Sequence, residues 1–520
     1  MGNMNELVEE LRQRKERLRQ GGDKRIQDKL HKRGMLTARE KLDKLLDPGS
    51  FVELDMFVTH HCTVFGMDKV EAPCDGIITG YGTIDGKAVF VYSQDFSVLG
   101  GTLGRWGARK LIKMMDLAYG RRAPIIGLNH SSGARFHELA RGDLGSGFGF
   151  GEQFYRVALY SGIIPQISLM MGDNAAGGVY GPGMSDFIIA TRQTNMFISG
   201  PVVVKAQIGE NLTPEELGGA RMHASVSGVV HVLAEDDEDC INKGKELLSF
   251  LPPNNREKPP VVKTGDDRGR LCPRLNDIVP TNPKKIYDMH KVIEEIVDNG
   301  NFFEIHRDYC KNMIIGFARF DGHSVGIVAT NPAVYAGTIT EASARKGARF
   351  VRFCDLFNIP LIYLVDSPAY LIGSRQERAG VISRGTTLIF ATAEAIVPKI
   401  TVDIRKSGAA SSLAMGSLTL RGDVTFAWVT ADLSTLTAQN FAEVIYAREI
   451  RKAANPEEVI KRRTAECEKD RGDIYDAASW QNVNDIIEPA ETRIAIIRGL
   501  DMTKNKVQEP PKKRYSNIPL

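Results

Sequence analysis

Residues 80–110 read GYGTIDGKAVFVYSQDFSVLGGTLGRWGARK, and residues 316–346 read GFARFDGHSVGIVATNPAVYAGTITEASARK. The two stretches align without a gap at an offset of 236, which brings together their Asp-Gly, Gly-Thr and Ala-Arg-Lys positions. A second block, IPQISLMMGDNAAGG from Ile164, matches VPKITVDIRKSGAAS from Val397 at an offset of 233. Chance similarity of short motifs does not hold one register over so many residues, so the sequence predicts a duplicated domain.

Each copy contains the same order of local patterns. An Asp-Gly pair lies between two apolar runs, which is typical of a β-hairpin. A helix, a short apolar strand after a proline, a loop of small residues, a second helix and another strand then follow in both copies. Strands that alternate with helices predict βαβ crossovers, so we expect an α/β fold with a mainly parallel sheet in each copy.

The division between the copies is predicted from composition. Residues 252–285 are rich in proline, asparagine and charge, which is typical of a segment between domains. We predict an N-terminal domain at 1–265, a linker at 266–285 and a C-terminal domain at 286–520. The first domain should begin with a helical arm at 4–45, where apolar residues recur at helical spacing among dense charges.

Composition excludes several classes of function. The chain has 520 residues, with 67 Lys and Arg against 64 Asp and Glu, so it lacks the basic excess expected for nucleic-acid binding. The seven cysteines include no Cys-x-x-Cys pair, so no metal site is expected, and their scatter suits a reducing compartment such as the cytoplasm. No stretch approaches the ~20 apolar residues of a membrane span, so we expect no membrane insertion.

Four loops of small residues each follow a predicted buried strand. They are 131–135 and 174–178 in the first copy and 366–370 and 407–411 in the second. Ligands of parallel sheets bind at the carboxyl ends of strands, and small side chains let a ligand approach the backbone. Where a helix follows, two free N–H groups can stabilise an enolate or thioester oxyanion. Tight turn packing is the alternative for any one loop, but four loops at equivalent positions favour binding.

Longer motifs extend this pattern nearly end to end. They include TAREKLDKLLDPGSFVELD (37–55), DGIITGYGTIDG (75–86), ELGGARMHASVSGVVH (216–231), GARFVRFCDLFNIPLIYLVD (347–366), VPKITV (397–402) and NIPL (517–520). With these motifs the chain resembles the carboxyltransferase (β) subunits of biotin-dependent acyl-CoA carboxylases. The decarboxylase subunits of sodium-pumping biotin enzymes are almost as similar.

The resemblance implies two tandem crotonase-like (ββα spiral) domains, a homohexamer, and sites at the interface of a two-subunit unit. It implies that a carboxyl group moves from carboxybiotin to the α-carbon of an acyl-CoA, with the biotin ureide anion as the base. Because the chain has no biotin-carrier Met-Lys-Met motif and no ATP-grasp-like half, biotin should arrive on a separate biotin carboxyl carrier or biotin carboxylase subunit. A decarboxylase of malonyl-type acyl-CoA and a non-catalytic scaffold remain as alternatives.

The resemblance also assigns site residues. Gly177 and Gly178 would hold the thioester oxygen, and Ala410 and Ser411 the biotin urea oxygen. The internal repeat pairs these positions independently of the family. The further residues implied for acyl-CoA are Ser132, Gly133, Ala134, Arg135, Ala176 and Leu413. Those implied for biotin are Ala369, Tyr370, Gly380, Val381 and Ala409.

The chain departs from the family pattern mainly at these loops. The family's Asp-Ser-Gly-Gly-Ala-Arg reads HSSGAR at 130–135, and its Gly-Pro-Cys-Ala-Gly-Gly-Ala reads GDNAAGG at 172–178. Its Asp-Val-Pro-Gly-Phe reads DSPAY at 366–370, its Tyr-Gly-Gly-Ile reads RAGV at 378–381, and its Tyr-Gly-Gly-(Ala/Ser)-Tyr reads GAASS at 408–412. Such changes suggest an altered acyl group, net decarboxylation or lost activity.

The acyl pocket is predicted to be wide. Ser412 replaces a family tyrosine, Leu413 beside it is apolar, and Gly178 replaces an alanine. We therefore expect an acyl group bulkier than acetyl. The alternative is that Tyr370 or His130, each replacing a smaller family residue, refills the space and adds a polar group.

Overall fold

The computed structural model describes residues 3–139, 146–434, 436–513 and 515–519, so Leu520, which ends the NIPL motif, lies outside them. The chain forms two compact units, residues 1–257 and 258–520. The predicted α/β fold with an internal duplication is confirmed, because each unit has one sheet that begins with antiparallel strands and continues with parallel ones.

The first unit has eight strands and eleven α-helices among its described residues. The strands are β1 Val52–Leu54, β2 Ile77–Ile84, β3 Lys87–Gln94, β4 Ile125–Ser131, β5 Gln166–Ala175, β6 Phe187–Thr191, β7 Met196–Phe197 and β8 Val232–Ala234. The helices are α1 Met4–Arg19, α2 Lys24–Lys32, α3 Ala38–Leu45, α4 Arg105–Arg121, α5 Phe136–Leu139, α6 Ser146–Tyr160, α7 Gly177–Met184, α8 Pro201–Ile208, α9 Pro214–Gly218, α10 Ala220–Met222 and α11 Asp237–Phe250. The strand order is β1-β2-β3-β4-β5-β6-β8, and β7 pairs with the end of β5.

The second unit has seven strands and eleven α-helices among its described residues. The strands are β9 Phe302–Ile305, β10 Met313–Phe320, β11 His323–Thr330, β12 Leu361–Ser367, β13 Lys399–Ser407, β14 Val424–Trp428 and β15 Asp485–Ile487. The helices are α12 Leu275–Ile278, α13 Met289–Ile296, α14 Glu341–Leu356, α15 Ser374–Arg378, α16 Val381–Glu394, α17 Ala409–Ala414, α18 Ala438–Ile445, α19 Ala447–Lys452, α20 Pro456–Asp470, α21 Ile474–Ser479 and α22 Thr492–Thr503. The strands run in the order β15-β14-β13-β12-β11-β10-β9.

Matched contacts hold the two copies in the same shape. Gly101 has a φ of +62° and Gly337 a φ of +78°, a region that favours glycine. A β-carbon on Gly101 would lie 2.2 Å from the carbonyl oxygen of His130, and one on Gly337 would lie 2.2 Å from that of Asp366. Each glycine therefore lets the loop before a helix contact the end of the next strand.

A buried lysine in each copy ties the hairpin to the helix behind it. The ammonium of Lys110 donates to the carbonyl of Cys74 at 2.9 Å and to that of Ile77. The ammonium of Lys346, at the equivalent position, donates to the carbonyls of His306, Tyr309 and Met313 at 2.6–2.9 Å. Burial lowers the pKa of Lys346 to about 8, so these hydrogen bonds compensate a charge that the interior disfavours.

The segment predicted as a linker is a packed part of the second unit. The boundary lies between Glu257 and Lys258, earlier than the predicted 265/266, and Cys272, Leu275 and Val279 lie in the core of unit two. Proline and charge in this segment mark irregular backbone, but its apolar residues belong to the same buried cluster as residues of α13 and α22. In the predicted arm, α1 has no buried residue, whereas α3 buries Leu42 and Leu45.

No helix among the described residues combines the length and the apolar character needed to cross a bilayer.

The ionisation of one histidine, which lies between two carboxylates, makes the stability of the second unit depend on pH. His290 at the start of α13 contacts Asp288 through Nδ1 at 2.7 Å and Glu304 of β9 through Nε2 at 3.1 Å. Burial alone would lower the pKa of His290, but these two carboxylates outweigh it and raise the pKa above its ordinary value. The charged imidazolium is therefore favoured in the folded state.

We predict that His290→Gln removes a pH-dependent part of the stability of the second unit. The raised pKa means that the stabilisation is fully present below the unfolded pKa of about 6.5 and is lost as pH rises through the folded pKa. Urea unfolding should therefore show the variant destabilised by on the order of 1 kcal/mol at about pH 5.5 and hardly at all at about pH 9. An equal loss at both pH values would contradict the prediction.

Candidate functional site

The neighbouring parallel strands of each unit shift register in the same way near their carboxyl ends. In the first unit the pairing Asn129↔Met170 is followed by Ser131↔Asn174. In the second unit Val365↔Asp403 is followed by Ser367↔Ser407. These positions match at the offsets of the repeat, and in each case the later strand carries two extra residues, a bulge that redirects its end. The loops that follow are therefore equivalent in structure as well as in sequence.

The end of β5 turns directly into helix α7 at the predicted thioester loop. The N–H groups of Asn174 and Ala176 are bonded to the carbonyls of Asn195 and Phe197, at 2.8 and 3.1 Å. The next two N–H groups, of Gly177 and Gly178, donate no hydrogen bond to another described residue. Free N–H groups at a helix start are suited to an anionic oxygen, so the role in holding the thioester oxygen stays a prediction that this geometry permits.

An aromatic cluster packs against this loop. A β-carbon on Gly177 would lie 2.6 Å from the ring of Phe150 in α6, whereas one on Gly178 would have its nearest neighbour, Ser131, at 3.7 Å. The ring of Phe150 is 5.9 Å from that of Phe154, which in turn is 5.8 Å from that of Tyr180. Phe150 could not be identified from the sequence, because its contact with Gly177 joins two different elements.

The loop after β4 lies beside the same helix start. A β-carbon on Gly133, which has a φ of +98°, would lie 2.8 Å from the carbonyl oxygen of Ala175. Ala134 bridges to Leu103, and Ser132 is exposed. The structure thus brings Ser132, Gly133 and Ala134 together with the 174–178 loop, as an acyl-CoA role would require.

Arg135 is placed differently from the other residues of this loop. Its guanidinium is 2% exposed and forms an ion pair with buried Asp75, while also donating to the carbonyl of Thr102 at 2.9 Å. Burial raises the pKa of Asp75, and the charge of Arg135 opposes that rise. Arg135 therefore supports the loop from inside the unit, and its side chain does not face the surface.

His130 also lies beneath the loop. Its ring is 2% exposed and stacks on Phe96 with 4.1 Å between centroids. A β-carbon on Gly172, which has a φ of +140°, would come within 2.4 Å of the imidazole. Burial lowers the pKa of His130 well below its ordinary value, so the imidazole is neutral at physiological pH.

The second unit has a helix start equivalent to that of α7. Helix α17 begins at Ala409, which has a φ of +50°, and the N–H groups of Ala410 and Ser411 donate no hydrogen bond to another described residue. The buried Ser411 hydroxyl donates to the carbonyls of Ser367 and Gly408, at 3.0 and 2.6 Å, which fixes the loop to β12. Ala410 and Leu413 are exposed.

Three of the remaining predicted biotin residues, Tyr370, Gly380 and Val381, lie at helix α16. The Tyr370 hydroxyl donates to the carbonyl of Gly385 at 2.9 Å, and burial raises the pKa of that phenol. Gly380, with a φ of +79°, caps the helix, and Val381 is its first residue. Ala369 accepts a hydrogen bond from the N–H of Ile339 at 3.1 Å. The structure thus groups the biotin candidates in one unit and the acyl-CoA candidates in the other, apart from Leu413.

No group of three or more His, Cys, Asp or Glu among the described residues is arranged to hold a metal ion.

Comparisons with known proteins cover the whole chain. The model of the carboxyl transferase domain family matches residues 29–518. The chain is 44% identical to the propionyl-CoA carboxylase carboxyltransferase subunit of Haloferax mediterranei, over 99% of this chain and 100% of that protein. It is 43% identical to the methylmalonyl-CoA decarboxylase subunit alpha of Propionigenium modestum, over 99% of both.

A solved structure matches the chain over its whole length. The crystal structure of transcarboxylase 12S, described as a hexamer assembly with methylmalonyl-coenzyme A and methylmalonic acid bound, superposes with a TM-score of 0.96. The two chains are 41% identical, and the match covers 100% of this chain and 99% of that one.

We predict that adjacent glycines of the α7 loop tolerate alanine unequally. Gly177→Ala would place a methyl group against the Phe150 ring, and such overpacking typically costs about 1–3 kcal/mol. Gly178→Ala has room for its methyl group and serves as the matched control. Chemical unfolding of both variants should show the larger loss for Gly177→Ala, and equal losses would contradict this geometry.

Proposed function

The chain belongs to the carboxyl transferase family and has its crotonase-like fold and carboxyltransferase function, and we propose that it moves a carboxyl group from carboxybiotin to the α-carbon of an acyl-CoA thioester. The observation that carries this proposal is the pair of equivalent helix starts, each with two free N–H groups. Two negative oxygens form during such a transfer, one on the thioester enolate and one on the biotin urea. One pair of donors for each oxygen is the arrangement that this chemistry needs.

The residues of the first unit act on the acyl-CoA. The N–H groups of Gly177 and Gly178 hold the thioester oxygen and stabilise the enolate that forms when the α-proton leaves. Ser132, Gly133, Ala134 and Ala176 leave the backbone accessible to the thioester, while Arg135 holds their loop in place.

The residues of the second unit act on biotin. The N–H groups of Ala410 and Ser411 are suited by their free donors to the biotin urea oxygen, with Ala369, Tyr370, Gly380, Val381 and Ala409 as the surrounding residues. Carboxybiotin, when bound, supplies carbon dioxide by loss of its N–carboxyl bond and a ureide anion that takes the α-proton. Because the ring of His130 is buried and stacked on Phe96 beneath the loop, we assign no proton transfer to it. Catalysis then depends on positioning and on oxyanion stabilisation.

We further propose a homohexamer with sites at a dimer interface, since a relative of 41% identity is described as a hexamer. A separate biotinylated carrier or biotin carboxylase subunit would deliver the carboxyl group. The seven cysteines are all free, which supports action in the cytoplasm.

A biotin-dependent decarboxylase acting on a malonyl-type CoA thioester is the second candidate. The 43% identity to a methylmalonyl-CoA decarboxylase subunit favours it. The two directions are separated by assaying carbon dioxide release from methylmalonyl-CoA in the absence of ATP.

We predict that Ala410→Val lowers carboxyl transfer by on the order of 10²-fold, the effect of losing one oxyanion donor. The added methyl groups would block access to the free N–H pair. Because position 410 is exposed, the substitution should leave the fold intact. Ala454→Val, at an exposed alanine outside the loops, is the matched control. Transfer is measured with free biotin as the acceptor, and an unchanged rate in a folded Ala410→Val protein would end the assignment.

We also predict a preference for an acyl group bulkier than acetyl. Leu413 is 39% exposed beside the small Ser412, and Gly178 of the predicted thioester loop has room around its α-carbon. Ser412→Tyr should shift the preference towards short acyl groups by about tenfold or more, since even a single methylene is discriminated by ~1–3 kcal/mol. A competition assay with acetyl-CoA, propionyl-CoA and a branched acyl-CoA tests both proteins. Preference for acetyl-CoA in the unmodified protein would overturn the prediction.

A further inference from the structure

The short strand β7 holds the end of β5, where the predicted thioester loop begins. The carbonyl of Asn195, just before β7, accepts the N–H of Asn174 at 2.8 Å. The carbonyl of Phe197 accepts the N–H of Ala176 at 3.1 Å, and the two free N–H groups of the loop follow directly. Because β7 fixes the residues immediately before this pair of donors, whatever holds β7 also determines where the donors point.

A histidine holds the other edge of β7. Because successive carbonyls of a strand face opposite edges, the carbonyl of Met196 faces away from β5. Nε2 of His223 lies 2.8 Å from that oxygen. The backbone also approaches closely here, since a β-carbon on Gly218 would lie 2.2 Å from the same oxygen. The N–H of Ala220 donates to the carbonyl of Thr194 at 2.9 Å. The strand is therefore enclosed between the end of β5 and the segment that carries His223.

The two contacts of His223 fix its hydrogen-bonding roles. A carbonyl oxygen can only accept, so Nε2 carries a proton and donates to Met196. Nδ1 lies 2.8 Å from the hydroxyl of Ser227, four residues later in a single π-helical turn, His223–Ser227. In the neutral ring Nδ1 accepts from that hydroxyl. Both ring nitrogens are thus engaged, which holds the imidazole in the orientation that reaches β7.

The second unit holds its equivalent segment with different side chains. The N–H of Ser407, which matches Asn174 in the repeat, donates to the carbonyl of Asp432 at 2.9 Å. The carboxylate of Asp432 forms an ion pair with Arg471. The support from His223 is therefore a feature of the first unit, and the second unit provides an internal control for any change made to it.

We propose that His223 is a positioning residue for the oxyanion site on the acyl-CoA side, acting through β7 on the N–H groups of Gly177 and Gly178. This inference rests on the proposed function. A pair of donors stabilises the enolate oxygen only when both N–H groups point at it. Loss of the contact with Met196 lets β7 and the end of β5 shift together, and a misplacement of about 1 Å can cost on the order of 10²-fold in rate.

Two amide variants test the contact with Met196. In His223→Gln the amide nitrogen reaches about as far as Nε2 of the histidine, whereas in His223→Asn it matches Nδ1 and falls short of the carbonyl. The assay follows biotin-dependent carbon dioxide release from methylmalonyl-CoA by the full chain with free biotin. His223→Asn should lower kcat by about tenfold or more with little change in either KM, because the lost interaction acts in the transition state. His223→Gln should retain most of the wild-type kcat.

A serine in the same turn provides the matched control. Ser225 is exposed, and its hydroxyl donates to the carbonyl of Arg221 at 2.8 Å. Ser225→Ala should therefore match the wild type in kcat and in both KM values. A loss in this variant as large as that in His223→Asn would contradict a specific role for the histidine.

Hydrogen exchange measures the positioning without any turnover. The amides of Asn174 and Ala176 should exchange several-fold faster in His223→Asn than in the wild type, because β7 holds them. The equivalent segment of the second unit, residues 407–411, should exchange at the wild-type rate in every variant. Faster exchange in both units alike would indicate general destabilisation and would overturn the local role of His223.

The outcomes separate this inference from the proposed function. Wild-type turnover together with equal kcat values in His223→Asn and His223→Gln would overturn the inference and leave the carboxyltransferase proposal intact. If the wild type shows no biotin-dependent turnover, the proposed function fails and this inference fails with it.

Discussion

The close approach of a glycine to a strand-end carbonyl is the contact on which both halves of the molecule depend. At Gly101 and Gly337 the loop after a hairpin touches the backbone of His130 and Asp366, with no space for a side chain between them. Because that contact fixes the ends of β4 and β12, it also fixes the bulges beside them and the helix starts that follow. The free N–H groups of the proposed site are thus consequences of backbone packing, and their position does not depend on long side chains.

The two copies share this backbone arrangement but differ in the polar side chains buried beneath their loops. The end of β4 has a neutral histidine stacked on Phe96, whereas the end of β12 has the carboxylate of Asp366 paired with Arg405. The first copy supports its outer loop with a buried ion pair from Arg135, and the second supports its loop with the phenol of Tyr370. The two copies therefore share a backbone geometry but differ in the charged and polar groups beneath each loop, which is consistent with the two different ligands proposed above.

The repeat made much of this fold predictable, because one set of patterns could be checked against the other. The hairpins, the parallel strands and the four loops all occur where two copies of the sequence agree. The predicted linker is a packed segment in the structure. Proline and charge indicate irregular backbone, but they do not show whether a residue such as Cys272 is buried, because its burial depends on helices that are distant in sequence. Arg135 shows a similar limit: a motif identifies a residue but does not say which way its side chain points. Phe150 depends on a contact between two elements, which no local pattern in the sequence reports.

The buried lysines have a further consequence for how the protein is made. Lys110 reaches carbonyls 33 and 36 residues before it in the chain, and Lys346 reaches carbonyls 33 to 40 residues before it. Each lysine follows its partners, so each contact can form as soon as that short stretch has left the ribosome. The first half can then bury its charge before the second half is translated, which keeps two similar sequences from pairing with each other while both are unfolded.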